Sequence, residues 1–464
     1  MDKVYKIIFS TEDGSNAADA NLKGLFDGKY GQLLKLPGEE FHFIHAGLGK
    51  FENVKKDKIK ELCGKIAKEL NSLKAKECSI EIGWLVNEFG KKIIIPVIEG
   101  IALGGYVFDQ YKKEKSEYGF LCGLTVDGED ISEDSAYAET MAIAFNISAG
   151  VNMARDLVNT PPAKLTPEIM AHSITGMFAG TNVEVQVLDE AECEALGMHS
   201  FLAVGKSSVN KPKLIVLRYY ANKDENEVLG YVGKGITFDT GGYSLKSNMV
   251  NMKTDMAGAA AVCGAIYALA KNKVKTNVVG VLPCCENRLT SASFLPDDVL
   301  TTMNGKTIEI GSTDAEGRLI LADGITYAIR EEGVTKLVDI ATLTGSMART
   351  LGGHRAGTFS NCEDFIKRFN KSAKKCGELF WQFPMDDIYR KSIKGDIADL
   401  KNSGGPVAGA IFAACFLEEF VENLPWIHID IAGAAFKDKP VFDFQAKGAT
   451  GFGVETLYCL AKQK

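Results

Sequence analysis

Two stretches of the chain concentrate residues that can do chemistry. The first, "VGKGITFDTGGYSLKSNMVNMKTDMAG", carries Lys234, Asp239, Lys246 and Asp255. The second, "GSTDAEGRLI", sets Asp314, Glu316 and Arg318 on alternate residues. Each acid has an ordinary explanation. Thr313-x-x-Glu316 fits a capping box, and acids near a helix N-terminus are favoured by its dipole. Asp255 could cap a small-residue helix, and Asp239 could serve a turn. Taken together they say more. Four acids brought to one place cannot all stay ionised without compensating cations. Lys234, Lys246 and Arg318 supply part of that charge, and divalent metal ions would supply it better. Oxygen-rich ligand sets suit Mg2+, Mn2+ or Zn2+, and two such ions can share bridging carboxylates. The residues by themselves point to a two-metal hydrolase.

Other chemistries lack their motifs. There is no H-E-x-x-H and no G-x-S-x-G, and "NGKT" lacks the upstream glycine of a phosphate-binding loop. "GKGITFDTGG" is glycine-rich but breaks the dinucleotide spacing. The six histidines do not cluster; His42, His45 and His428 read as structural or surface residues rather than ligands.

The elements that must position these side chains follow from the hydrophobic pattern. From about Thr166, strand-like runs ("KLIVLRYY", "VLGYVGKGI", "NVVGVLPCC", "KLVDIATLTG", "WIHIDIAG") alternate with helix-like ones ("MAGAAAVCGAIYALAKN", "VAGAIFAACFLEEFVEN"). Such alternation predicts an α/β fold with a mainly parallel central sheet flanked by helices. Both reactive stretches are expected to follow strands of that one sheet, where sites gather at the carboxyl ends. Upstream, "VYKIIFS", "FHFIHAG", "SIEIGWLV" and "KKIIIPVI" read as short β-rich runs around one helix. That helix, "NVKKDKIKELCGKIAKELNSLKAKE", aligns Ile59, Leu62, Ile66, Leu70 and Leu73 on one stripe and lysines on the other face. A long helical pattern, "EDSAYAETMAIAFNISAGVNMARDLVN", stops at "TPPAKLTPE", because adjacent prolines cannot continue a helix. The expected organisation is a smaller N-terminal α/β domain (1–133), a linking helix (134–160) and a larger C-terminal catalytic α/β domain (161–464).

The bulk numbers set limits. A chain of 464 residues can bury a large core, and 46% hydrophobic with 24% charged residues is ordinary for a globular protein. A net charge of −7 argues against nucleic acid or an anionic membrane as partner. Eleven scattered cysteines with no C-x-x-C pair read as reduced thiols in the cytoplasm. The start, "MDKVYKIIFSTEDGS", is too short in apolar residues for a signal segment. The longest apolar run, "AGAAAVCGAIYALA", falls below the ~18 residues a membrane span needs.

The same residues carry a resemblance. "STDAEGRL" differs only at Ser312 from the octapeptide Asn-Thr-Asp-Ala-Glu-Gly-Arg-Leu of the cytosolic leucyl aminopeptidase family. "VGKGITFDTGGYSLK" is similar to the family's other metal segment, with Thr240 where serine is usual and Tyr243 where a smaller aliphatic is common. "ARDLVNTPPAKLTPE", "ATLTGSM", "AGAIFAACFL", "HIDIAGAAF" and "GATGFGVETL" match in the family's order, so the resemblance covers roughly residues 150–464.

The resemblance implies a metallo-exopeptidase that releases single N-terminal amino acids from peptides with a free N-terminus. It implies Lys234, Asp239, Asp255 and Glu316 as ligands of the tighter metal. Asp239, Asp314 and Glu316 would hold the more exchangeable one. The ions would be Zn2+ or Mn2+, with Mg2+ an option in the exchangeable site. It also implies Lys246 polarising the scissile carbonyl and Arg318 holding a bicarbonate that acts as general base. Asp255 would take the substrate amine, Thr342 and Leu343 would receive its backbone, and Met252 would line the side-chain pocket. The segment between Lys246 and Asp255 is shorter than in well-known members, which together with Tyr243 bears on the pocket. A homohexamer is implied as well. Two other readings use the same features: a two-metal phosphoesterase, and a DNA-binding accessory in which a hexamer presents the lysine-rich helix repeatedly.

Overall fold

The computed structural model describes residues 4–13, 22, 24–115 and 121–463. Residues 1–3 and 14–15 of the opening stretch lie outside these. The chain divides into two compact units, Met1–Ala149 with Lys439–Lys447, and Gly150–Asp438 with Gly448–Lys464. The division falls inside the long helix at 135–159. No local pattern announces that residues 439–447 belong with the first unit.

The first unit opens with β1 (Val4–Thr11), β2 (Leu33–Leu36), β3 (His42–Gly49), α1 (Lys56–Ser72) and β4 (Glu77–Glu81). It continues through α2 (Gly83–Phe89), α3 (Ile94–Gly104), β5 (Leu121–Val126), β6 (Glu129–Asp130) and the start of α4 (Ser135–Asn159). Its six strands are ordered β2-β3-β1-β4-β5-β6. The α1 stripe buries Ile59, Leu62, Ile66 and Leu70, with Leu73 half-buried at the C-cap. Lys60 departs from the solvated lysine face: it is buried and paired with Glu99 on α3 at 3.1 Å. From the distant segment, the Asp443 amide donates to Glu61 at 3.0 Å.

Two β-rich readings are corrected here. "KKIIIPVI" is helical, a 3-10 turn at Lys91–Ile93 leading into α3. A short continuous apolar run has no period to separate strand from buried helix, and Pro96 is tolerated because its missing N–H falls in the first helical turn. "SIEIGWLV" is strand only to Glu81, whose carboxylate accepts from the Gly83 amide at 2.8 Å as α2 begins.

The second unit takes up the end of α4 and runs through α5 (Pro167–Met177), β7 (Glu184–Leu188), α6 (Glu190–Ala195) and α7 (His199–Gly205). Thr166 caps α5 by accepting from the Ile169 amide, with Pro167 in the first turn. Next come β8 (Lys213–Tyr220), β9 (Leu229–Gly233), β10 (Gly235–Asp239), α8 (Ala257–Lys271) and β11 (Asn277–Asn287). They are followed by β12 (Val299–Thr301), β13 (Thr307–Glu309), α9 (Glu316–Arg330), β14 (Lys336–Ala341), α10 (Gly345–Leu351) and β15 (Ala356–Ser360). After these lie α11 (Glu363–Cys376), β16 (Phe380–Gln382), α12 (Asp387–Ser392), β17 (Leu400–Lys401) and α13 (Gly409–Glu418). The remainder is β18 (Trp426–Asp430), β19 (Phe436–Lys437), β20 (Gly448–Ala449) and α14 (Val454–Lys462).

The large sheet is ordered β16-β15-β18-β14-β9-β11-β8-β7, with β10 also paired to β11. Its centre, β18-β14-β9-β11 with β10, is parallel, while β8 on one side and β15 on the other run against it, and β7 pairs antiparallel with β8. The expected α/β class with a central sheet and flanking helices is what the chain adopts. Strand β11 is buried along its whole length, as central parallel strands are. Among the described residues, no helix is long and apolar enough to cross a membrane.

One placement differs from expectation. "STDAEGRL" does not follow a strand of the large sheet; it follows β13, in a separate sheet ordered β12-β13-β17. Those strands are two or three residues long, too short to show an alternating pattern.

Candidate metal centre

The five parallel strands bring their carboxyl ends to one edge. Lys234 follows β9, Asp239 closes β10, Asn287 closes β11, Thr342 follows β14 and Asp430 closes β18. This is where an α/β sheet exposes side chains and backbone groups not used by the ladder. Beyond Asp239 the chain turns on Gly241 and Gly242, whose φ of +86° and +60° favour glycine. The turn returns Lys246 over the strand end, with its Nζ 2.7 Å from Asp239 Oδ2 and 2.5 Å from Asp314 Oδ1.

Lys234 is 2% exposed, and its Nζ lies 2.8 Å from Asp255 Oδ1 and 2.9 Å from Glu316 Oε1. It also donates to the Thr342 carbonyl at 3.2 Å. Asp239, Asp314 and Glu316 each offer an oxygen within 4.8 Å of the others. The structure thus brings the two reactive stretches to one cluster, with two lysines among four carboxylates.

Two of the bland explanations fail on geometry, while Asp239 does serve its turn, accepting from the Gly241 amide at 2.8 Å. Helix α9 starts with Ala315 as N-cap and no side-chain cap, so the capping box does not form. Thr313 instead donates to the Gly241 carbonyl at 2.6 Å and accepts from the Ser244 amide at 2.7 Å. Nor does Asp255 cap α8, whose N-cap is Met256. Asp255 sits in a 3-10 turn, Met252–Met256, where its Oδ1 also accepts from Thr342 Oγ1 at 2.9 Å.

Electrostatics match the crowding. Burial, reinforced by neighbouring acids, pushes the carboxyls of Asp239, Asp255 and Asp314 above their usual range. Burial alone would lower the two lysines, but the surrounding carboxylates hold both above the ordinary amine value. Asp255 Oδ2 and Glu316 Oε2 are buried with no hydrogen-bond partner. Unpaired buried lone pairs beside an excess of acid are what a divalent cation would satisfy, so the residues fit such an ion.

Arg318 lies two residues beyond Glu316, buried over the Phe412 ring, and donates from Nη1 to the Asn402 carbonyl at 2.7 Å. Burial lowers its guanidinium to about 10, and its Nε has no partner. Thr342 and Leu343 form the half-buried turn after β14, with the Leu343 amide held by Asp430 Oδ1 at 3.2 Å. Met252 is half-buried at the start of the turn that carries Asp255. His428 is structural: buried, and 2.5 Å from Asp339.

Three further residues escaped the sequence reading. Asn287 donates to Asp239 Oδ1 at 2.8 Å and to the Thr313 carbonyl at 3.1 Å. The polar pair Glu286–Asn287 ending the apolar run "VVGVLPCC" was the available signal. Asp430 at the end of β18 offered a similar one. Asn402 accepts from the Gly311 and Ser312 amides and returns a bond to the Ser312 carbonyl. It comes from a distant loop, and no local pattern marks it.

Comparison with known proteins agrees over nearly the whole chain. The profile described as cytosol aminopeptidase family, catalytic domain, matches residues 152–458, and that of the family's N-terminal domain matches residues 13–115. A probable cytosol aminopeptidase of Clostridium perfringens is 42% identical over 451 residues, covering 95% of this chain and 91% of the relative. One from Alkaliphilus oremlandii is 40% identical over 478 residues, covering 99% and 95%. Among solved structures, the bottromycin maturation enzyme BotP matches with a TM-score of 0.88 at 28% identity, covering 100% of this chain and 99% of that one. BotP in complex with Mn matches with a TM-score of 0.87 at 29% identity, covering 99% of each. With both domains matched and relatives at about 40% identity along the chain, the protein belongs to the cytosol aminopeptidase family of metal-dependent peptidases.

Proposed function

We propose that this enzyme releases single amino acids from peptides with a free N-terminus, and that the cluster around Lys234 and Lys246 is its two-metal centre. The observation that carries the reading is the convergence of Asp239, Asp314 and Glu316 within 4.8 Å, with Asp255 bound to the same lysine as Glu316. Lys234, Asp239, Asp255 and Glu316 would hold one ion, Zn2+ or Mn2+. Asp239, Asp314 (side chain and carbonyl) and Glu316 would hold a second, more exchangeable one, with Mg2+ a further option. When bound, such ions neutralise the acids, lower the pKa of water and polarise a carbonyl.

The chain's own residues do the rest. Lys234 would act through its neutral amine, a form that neighbouring dications favour. Asp255 takes the substrate's α-amine, which restricts cleavage to the first peptide bond. Lys246 has 21% of its side chain exposed against 3% for Lys234, so it is the cluster's cation open to a substrate carbonyl. There it stabilises charge developing on the oxygen. Arg318, buried and with Nε unpaired, suits a small anion; bicarbonate held there would take the proton as general base. Thr342 and Leu343 receive the peptide backbone, and Met252 lines the side-chain pocket.

Membership of a peptidase family favours a peptide bond over a phosphate ester. A homohexamer is supported by Tyr243, Leu245 and Val250, large apolar side chains left exposed on the loop beside the cluster. A cytoplasmic setting is supported by eleven free thiols. The test is a panel of aminoacyl-p-nitroanilides with Mn2+, Zn2+ or EDTA, run beside Glu316→Ala and Asp255→Ala. Chelation and both substitutions should abolish turnover, and acetylating the substrate amine should do the same. Activity that survives all three removes the reading.

A further inference from the structure

Asn287 closes β11 with its side chain wholly buried. Its amide uses both protons inside the cluster, one on Asp239 Oδ1 and one on the Thr313 carbonyl. The Gly241 amide donates to that same Asp239 oxygen at 2.8 Å. Two donors therefore occupy Oδ1, and Oδ2 is left to face Lys246. The amide oxygen of Asn287 meanwhile has no partner. Leaving a buried carbonyl unpaired is destabilising, so this orientation is retained for what the two protons do. The turn at Thr240 does not need the side chain, since its amide and hydroxyl both bond the Asn287 backbone carbonyl.

We propose that Asn287 is a positioning residue of the metal centre. It commits Asp239 to a divalent cation through Oδ2 alone, and its second proton sets the spacing between Asp239 and the segment bearing Asp314. The inference rests on the two-metal reading. Partners behind a ligand commonly tune affinity in this way, by orienting the ligating atom rather than touching the ion.

The test measures Mn2+ affinity by chelator competition and calorimetry on the full-length protein, Asn287→Ala and Asn287→Asp, with Asp239→Asn as reference. Asn287→Asp keeps the shape but, ionised, cannot donate. Both Asn287 variants should bind Mn2+ about ten- to hundredfold more weakly. Their turnover should return toward the parent level as Mn2+ is raised, since Asn287 touches neither substrate nor ion. Mn2+ affinity within about twofold of the parent in both variants overturns the inference. If Asp239→Asn also leaves binding unchanged, the metal-centre reading is what has failed. Should neither variant fold, a crystal structure of the parent with Mn2+ decides the matter. Coordination through Asp239 Oδ2 alone supports the inference, and coordination through Oδ1 overturns it.

Discussion

The hydroxyl of Thr313 donates to the carbonyl of Gly241 across 72 positions of sequence, at 2.6 Å. With the bond it accepts from the Ser244 amide, it ties the segment bearing Asp314 and Glu316 to the loop between Asp239 and Lys246. Thr313 is wholly buried, so water cannot replace it. Thr313→Val keeps the shape but strands one buried carbonyl and one amide. The expected loss is about 2 kcal/mol or more, from the cost of unpaired buried polar groups. Urea unfolding at constant m should show it, and Thr313→Ser should restore most of the loss. A valine variant as stable as the parent would mean that the tie carries no weight.

Gly317→Ala tests the space around Lys234. Replacing a helical glycine with alanine ordinarily stabilises by about 0.5–1 kcal/mol. Here a Cβ at Gly317 would meet Lys234 Cε at 2.5 Å and Nζ at 2.7 Å. The amine would be forced away from Asp255 and Glu316, leaving two buried carboxylates without their cation. Activity should fall by about tenfold or more, since small displacements of catalytic groups cost on that scale. The variant should also melt below the parent, the reverse of the helix-propensity effect. A higher melting temperature with unchanged turnover would show that the lysine has room to spare.

Arg318 offers a separate handle on the proposed base. Even lowered to about 10, its guanidinium stays charged at neutral pH, and the cost of burying it is offset in part by the nearby acids Glu316, Asp430 and Asp314, the Asn402 carbonyl and the Phe412 face. Arg318→Met should cut kcat about a hundredfold, the lower end of what a positioned base contributes. In buffers stripped of carbon dioxide, added bicarbonate should raise the parent's rate and leave the variant's unchanged. An equal response of both enzymes would detach the bicarbonate from Arg318.

The parts of this site that sequence made legible are those with local periodicity or a local motif. The strands around Lys234 and Asp239 and the helix after Asp314 announce themselves by apolar runs and turn glycines. What stayed hidden depends on distant partners. Thr313 reads locally as half of a capping box, because a hydroxyl three residues before a glutamate looks the same whether it bonds its own helix or a neighbouring loop. "KKIIIPVI" reads as a strand because a run buried on every side has no period. Asn402 leaves no trace in sequence, since its whole role is a set of bonds to a segment about 90 residues away. Both reactive stretches read as following one sheet, because the three-residue strand β13 carries no pattern that separates it from the large sheet.

Asp323, in the middle of α9, should give the protein a pH signature independent of the metal centre. Its carboxylate accepts from the Phe201 amide and the Met303 amide, both at 2.8 Å. Burial nevertheless outweighs these donors and pushes the carboxyl up to about 6 from its usual 3.8. The folded state therefore keeps a proton that the unfolded chain has lost, and stability falls as pH rises through this window. Below 3.8 both states are protonated, and above 6 the penalty is constant. The shift corresponds to about 3 kcal/mol in all. Asp323→Asn cannot ionise but serves one backbone amide less well, so it should be the less stable protein at pH 4. The gap should narrow as pH rises toward 7, because only the parent pays the penalty of a buried charge. Urea midpoints of the two proteins across that range measure it, and a gap independent of pH would show that Asp323 ionises as freely folded as unfolded.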